Sequence, residues 1–311
     1  FLTIHVAAAE RVMDALPPTW HAGLVLMDQH CPAYLQNDER AIDDTRRLAE
    51  QFGNRYVVTD RFAVANSSRQ RRAAAAIAGR LGLMTQTHLN EQVMEKRFVE
   101  DVLYPHSASY THVYGDDGLL DTRAMVAHCV QMTPPEWRLL AEKRAVVAHC
   151  PTSNARLGSG VMDLDALIAH GIDYAVCTDV GASGTTSLLA EMANFLLVHR
   201  GRSRGATACE ALYRTTLAPA RVLGSDDRFG HFAVGKQLCF VELATSPVGA
   251  TDAESVLQNA LLPPTLLAQL PAAMTRPGGT TVAEILLHAA ATNDILAQHE
   301  AGVRQVVGMP A

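Results

Sequence analysis

The sequence predicts an α/β protein built from repeated β-α units, a (β/α)8 TIM-type barrel lacking its first strand. Three observations carry this. Short apolar runs alternate with longer amphipathic stretches through the first 180 residues. The runs are apolar throughout instead of alternating with polar residues, as strands of a parallel sheet buried on both faces are. Seven of them can be counted, one short of a closed barrel. An open doubly wound sheet, complete as it stands, is the competing architecture.

In chain order the predicted strands are 1–6, 23–27, 55–59, 83–89, 124–130, 145–150 and 174–178. Between them, 41–52 places Ile42, Leu48 and Phe52 on one side among charges, and 68–81 and 136–143 show the same amphipathic pattern. Past residue 180 the pattern changes. Helices are predicted over 187–200 and 206–223, with Pro219 late in the second. A strand-like segment at 230–243 contains a Gly235-Lys236 turn, and 253–262 is weakly helical. A helix over 282–296 and a short strand over 303–307 close the chain.

Composition narrows the function. Of 311 residues, 48% are hydrophobic and 19% charged, enough for a large core and incompatible with intrinsic disorder. The net charge of −6 argues against a basic nucleic-acid-binding surface. No apolar run reaches the roughly 18 residues of a membrane span. Six cysteines without a CxxC pair suit free thiols in a reducing compartment. No signal peptide is visible, so the expected location is cytoplasmic, with neither nucleic acid nor membrane as partner.

In parallel α/β folds, chemistry gathers at the C-terminal ends of strands. Four predicted strands end there in polar residues: His88-Leu89-Asn90-Glu91, His128, His149-Cys150-Pro151-Thr152-Ser153-Asn154, and Asp179. One such histidine alone reads as a satisfied half-buried side chain. Four strand ends in register point to one site. Imidazole and carboxylate are ligands for Zn or Fe, and a metal there would lower the pKa of bound water to about 7. Glu91, three residues after His88, could move protons in such a site. Thr59-Asp60-Arg61-Phe62 follows another strand and offers a guanidinium fork beside an aromatic face, a clamp for a planar substrate. There is no GxxxxGK[ST], GxSxG or GxGxxG motif.

These residues give the chain a resemblance to the amidohydrolase superfamily, and within it to the guanine deaminase family. Its strongest parts are Thr87-His88-Leu89-Asn90-Glu91, Ala127-His128, the run His149 to Asn154 with Leu157-Gly158-Ser159-Gly160, and Thr178-Asp179-Val180-Gly181. Gly23-Leu24-Val25-Leu26-Met27-Asp28 and Thr59-Asp60-Arg61-Phe62 resemble the guanine deaminase branch. The resemblance implies a metal-dependent hydrolytic deaminase of an aminopurine, guanine to xanthine and ammonia. It implies His88 and Asp179 as ligands of Zn (or Fe), with Glu91, His128 and Asp179 catalytic. Arg61 and Phe62 are implied to hold the purine, and His149 to stand behind the site. It also implies a homodimer, with residues 1–225 as barrel strands 2 to 8 and residues 226–311 as the remnant of a small β-sandwich domain at the C-terminus. The family's first strand carries an HxH motif with two further ligands, and this chain has none; Asp60 stands where the branch usually has Pro. Two alternatives follow. One is a catalytically inactive relative serving as a binding or assembly subunit. The other is a deaminase of another amino-heterocycle such as a pterin or triazine.

Overall fold

The computed structural model describes residues 2–3, 5–17, 19–242, 250–263, 266, 268–269 and 304–307. The chain divides into two compact units, Phe1–Val147 with His170–Asp173, and Ala148–Ala169 with Tyr174–Ala311.

The first unit alternates β1 (Leu2–Thr3), α1 (Val6–Ala15), β2 (Gly23–Leu26), α2 (Ala41–Phe52), β3 (Val58–Asp60), α3 (Ser68–Leu81) and β4 (Met84–Leu89). It continues through α4 (Val93–Arg97), a π-helical turn at Phe98–Leu103, α5 (Tyr110–Asp116), β5 (Arg123–His128) and α6 (Pro134–Glu142). β1 to β5 pair in chain order and all in parallel, the arrangement the uninterrupted apolar runs predict. Leu24, Leu26 and Val58 from the strands pack with Leu48, Ala74, Ile77 and Ala78 from α2 and α3 to form the core. The long β4–β5 pairing runs from Met84 opposite Arg123 to Leu89 opposite His128, so His88 and His128 fall on adjacent rungs at the same strand end.

Local chemistry sets the helix ends. The Ser67 hydroxyl accepts from the Gln70 N–H at 3.3 Å and donates to Asp28 at 2.6 Å, starting α3 and tying it to the end of β2. Gly82, at φ 65°, ends it in the left-handed conformation that glycine adopts without strain. Thr133 and Glu136 form a capping box on α6, with Pro134 at its first position.

β6 (Val146–His149) begins in the first unit and ends in the second, where α7 (Pro151–Arg156), α8 (Leu164–Ala169) and β7 (Tyr174–Val176) follow. The Cys177 N–H donates to the His149 carbonyl at 2.8 Å. α9 (Leu188–Val198) is buried from Ala190 to Val198, a helix apolar enough to be enclosed on every side. α10 (Ala208–Thr215), α11 (Leu217–Val222), β8 (Cys239–Glu242), α12 (Ala253–Leu261) and β9 (Arg304–Val307) follow, β8 and β9 pairing antiparallel.

Several boundaries differ from the sequence expectation. The strand expected over 1–6 covers Leu2–Thr3 among the described residues and does not reach residue 6, because Ala7 to Met13 is alanine-rich with Ala9 and Met13 buried one turn apart, and a helix starts at Val6. The single helix expected over 206–223 breaks at Thr216. Pro219 lacks an N–H, and its ring would clash with the carbonyl of Thr215 if the helix ran on. The strand-like stretch 230–243 is a strand only over Cys239–Glu242 among the described residues, after a turn at Gly235 with φ 90°. The helix expected over 282–296 lies outside the described residues.

Candidate active site

Five of the seven residues singled out in the sequence belong to the first unit. His88 and His128 stack with ring centroids 5.3 Å apart and planes 26° apart. Glu91 Oε2 lies 3.7 Å from His128 Nε2. His88 Nδ1 lies 2.6 Å from the Arg61 carbonyl, which also accepts the His88 backbone N–H at 3.1 Å. A carbonyl only accepts, so Nδ1 carries the hydrogen and a metal would be met through Nε2. The Arg61 guanidinium lies 5.2 Å from the centre of the Phe62 ring, with Nη1 3.2 Å from Met27 Sδ.

Strand-end geometry places these groups. Asn90, His128 and Cys129 take φ values of 52°, 74° and 48°, the left-handed region that costs a non-glycine residue about 1–3 kcal/mol. Three such residues at the ends of two neighbouring strands are held by the hydrogen bonds around them. The Asn90 carbonyl accepts from the N–H groups of Val130 and Gln131, and its Nδ2 donates to Glu136 at 2.9 Å. Burial pulls the Glu136 carboxyl upward, but Lys96, Asn90 and Thr133 outweigh it and hold the group below the usual range.

Beneath the site is a polar network that the sequence did not announce. Asp60 is fully buried; Thr87 donates to Oδ2 at 2.7 Å and Asn66 to Oδ1 at 2.5 Å. Burial pushes its carboxyl above the ordinary range against the pull of Arg71. The Tyr114 hydroxyl accepts the Ala63 N–H at 3.0 Å and donates to the His88 carbonyl at 2.7 Å. Arg71, itself wholly buried, holds Asp117 at 2.8 Å and Tyr104 at 2.9 Å. Asp60 and Thr87 stand in motifs read from the sequence, but nothing in those motifs pairs them; Tyr110 and Tyr114, one turn apart on α5, lie in a stretch with no predicted element.

Asp179 belongs to the second unit, at φ 48°, where the Ser153 hydroxyl donates to its Oδ2 at 2.6 Å. His149 faces His199 there, Nε2 to Nε2 at 3.0 Å, both buried. Burial drives His199 down to about 3, so its ring is uncharged at neutral pH. Nothing in the apolar sequence of α9 marks His199 as the partner of His149. Among the described residues, no group of three or more His, Cys, Asp or Glu side chains could hold a metal ion. What the first unit offers a metal is one imidazole, His88, in the orientation a ligating histidine has when its other nitrogen is bonded to a carbonyl.

The amidohydrolase family model matches residues 2–264, and the chain belongs to that family. The particular relatives it is similar to are guanine deaminases. It is 33% identical to guanine deaminase of Escherichia coli (strain K12) over 254 residues, 78% of this chain and 57% of that one. It is 29% identical to guanine deaminase of Dictyostelium discoideum over 276 residues, 82% of this chain and 61% of that one. Among solved structures, E. coli guanine deaminase superposes with a TM-score of 0.75 at 30% identity, covering 84% of this chain and 65% of that one. Guanine deaminase from C. acetobutylicum with bound guanine gives 0.73 at 25% identity, covering 84% and 66%. The neighbours are TIM-barrel amidohydrolases. The chain therefore spans somewhat under two thirds of these relatives' length.

Proposed function

We propose that this chain carries the catalytic barrel of a metal-dependent guanine deaminase, which converts guanine and water to xanthine and ammonia. The observation that carries the reading is the grouping of His88, Glu91 and His128 at adjacent strand ends, with the Arg61–Phe62 corner bonded to the His88 ring. By the family likeness, His88 and Asp179 would each serve as a ligand of the metal, Zn or Fe, which when bound would supply Lewis acidity and a lowered water pKa. Asp179 takes a proton from the attacking water. Glu91 carries a proton to the departing amino group, and His128 hydrogen-bonds the water or the substrate. Arg61 donates to the purine carbonyl, and Phe62 covers the ring. Residues 1–225 form the barrel part and 226–311 return to a small β-sandwich, a division the antiparallel β8–β9 pair supports. A homodimer in the cytoplasm completes the reading; among the described residues no helix is long and apolar enough to cross a membrane.

The test is direct. The full-length protein, loaded with Zn(II) or Fe(II), is given guanine, and xanthine and ammonia are measured together. Equal amounts of both support the reading. Turnover of a pterin or triazine but not guanine changes the substrate. Metal binding without turnover of any of them favours a catalytically inactive relative.

A further inference from the structure

We propose that Glu95 and Tyr110 are a positioning pair for this site, fixing the backbone at Glu91 and, through the same phenol, the Phe62–Ala63 corner. The inference rests on the reading above and adds two residues that neither the motifs nor the family likeness single out.

Glu95 is the third residue of α4 and completes a capping box with Gln92. A capping carboxylate ordinarily takes the N-cap N–H and stops there. Here Glu95 Oε2 accepts from the Gln92 N–H at 3.0 Å and also from the Glu91 N–H at 3.2 Å. Its other oxygen, Oε1, accepts from the Tyr110 hydroxyl at 2.8 Å. Both oxygens are therefore committed, one to the backbone that carries the proposed proton carrier and one to a fully buried phenol on α5.

That phenol reaches the other half of the site. The Tyr110 oxygen accepts from the Ala63 N–H at 3.3 Å and lies 3.3 Å from the Tyr114 hydroxyl, which donates to the His88 carbonyl. The Ala63 N–H, shared between the Tyr110 oxygen at 3.3 Å and the Tyr114 oxygen at 3.0 Å, thus links the bonds from the Glu91 backbone through Glu95 and Tyr110 to those from Tyr114 to the His88 carbonyl. Burial raises the Glu95 carboxyl and the Glu91 charge adds to that, while the N–H and O–H donors oppose both. A half-buried carboxylate is a costly cap where Ser, Thr or Asp at the N-cap would serve. Its two-sided bonding gives it a second task. Asn90, immediately before Glu91, is already in the left-handed region, so the chain reverses sharply there. The Glu95 clamp holds the next residue with its carboxylate 3.7 Å from His128.

The test uses Glu95→Ala, Glu95→Gln and Tyr110→Phe in the full-length protein with metal bound. Amide hydrogen exchange at Glu91 and Gln92 is measured without substrate, and guanine kinetics beside it. Glu95→Ala should speed exchange at both amides and lower kcat, each by about tenfold or more, with KM within about threefold of the parent. Glu95→Gln keeps an acceptor oxygen and should restore both to within about threefold. Tyr110→Phe should fall between the two. Unchanged exchange in Glu95→Ala overturns the clamp, as does a kcat loss that Gln fails to rescue. If Glu95→Ala does not fold, Tyr110→Phe with parental exchange and kcat overturns it equally. Should the parent itself fail to turn over guanine, the function reading falls, while the exchange measurement still decides the clamp.

Discussion

At the residue scale, backbone and side chain of Arg61 do different work. Its carbonyl orients His88, and its guanidinium faces the space beside Phe62. Arg61→Ala deletes only the second. Guanine kcat/KM should fall about tenfold to a hundredfold, the loss of a charge-assisted hydrogen bond in a desolvated pocket, while metal content stays at the parent value. His88→Ala should lose metal. Kinetics read beside elemental analysis separate the two; Arg61→Ala within twofold of the parent would remove the purine clamp. His199 makes a second test. Its folded-state value, about 3, lies below the ordinary 6.5, so the unfolded chain binds the extra proton between them. The resulting stability is complete above about pH 6.5 and is lost as pH falls toward 3, by at most about 1.4 kcal/mol per pH unit from this group. Urea midpoints should drop from pH 7 to pH 5, and less steeply in His199→Gln. An unchanged slope in that variant would show the buried pair is not responsible. The sequence marked His149 through its motif but left its partner unseen, because a pair fifty residues apart is made by packing alone.

At the element scale, α10 begins on a carboxylate borrowed from α12. Glu254 accepts from the N–H groups of Ala208 at 2.6 Å and Cys209 at 2.8 Å. Burial pulls its carboxyl upward, but those two N–H groups outweigh it and hold the group below its usual range. Glu254→Ala should cost about 1 kcal/mol, the worth of a helix cap, seen as a lower thermal midpoint with m-values unchanged. Gly23 is a harder constraint. A Cβ there would overlap the Val57 carbonyl oxygen, backbone that cannot turn aside. Gly23→Ala should therefore cost about 3 kcal/mol or leave no folded protein, and calorimetry of the variant decides it. Strand positions were legible because buried parallel strands are written as unbroken apolar runs. The short helices α4, α5 and α7 were not, since each takes its stability from tertiary contacts more than from periodicity.

At the scale of the whole molecule, the activity should depend on a metal. A chelator should abolish guanine turnover, and Zn(II) or Fe(II) should restore it; turnover that survives exhaustive chelation would refute the metal-dependent reading. The sequence by itself determined the α/β class, the positions of the parallel strands and the strand ends at which His88, Glu91 and His128 stand. These follow from local chemistry: apolar runs, turn residues, and polar groups where a run stops. Only the tertiary structure decided which groups meet. It stacked His88 on His128, bonded the His88 ring to a carbonyl 27 residues away, and closed Glu95 onto Tyr110 from another helix. It also buried Asp60 among Thr87 and Asn66. The reason is physical. Secondary structure is set by neighbours along the chain, whereas a hydrogen bond between distant residues depends on how whole elements pack, and no local pattern records that.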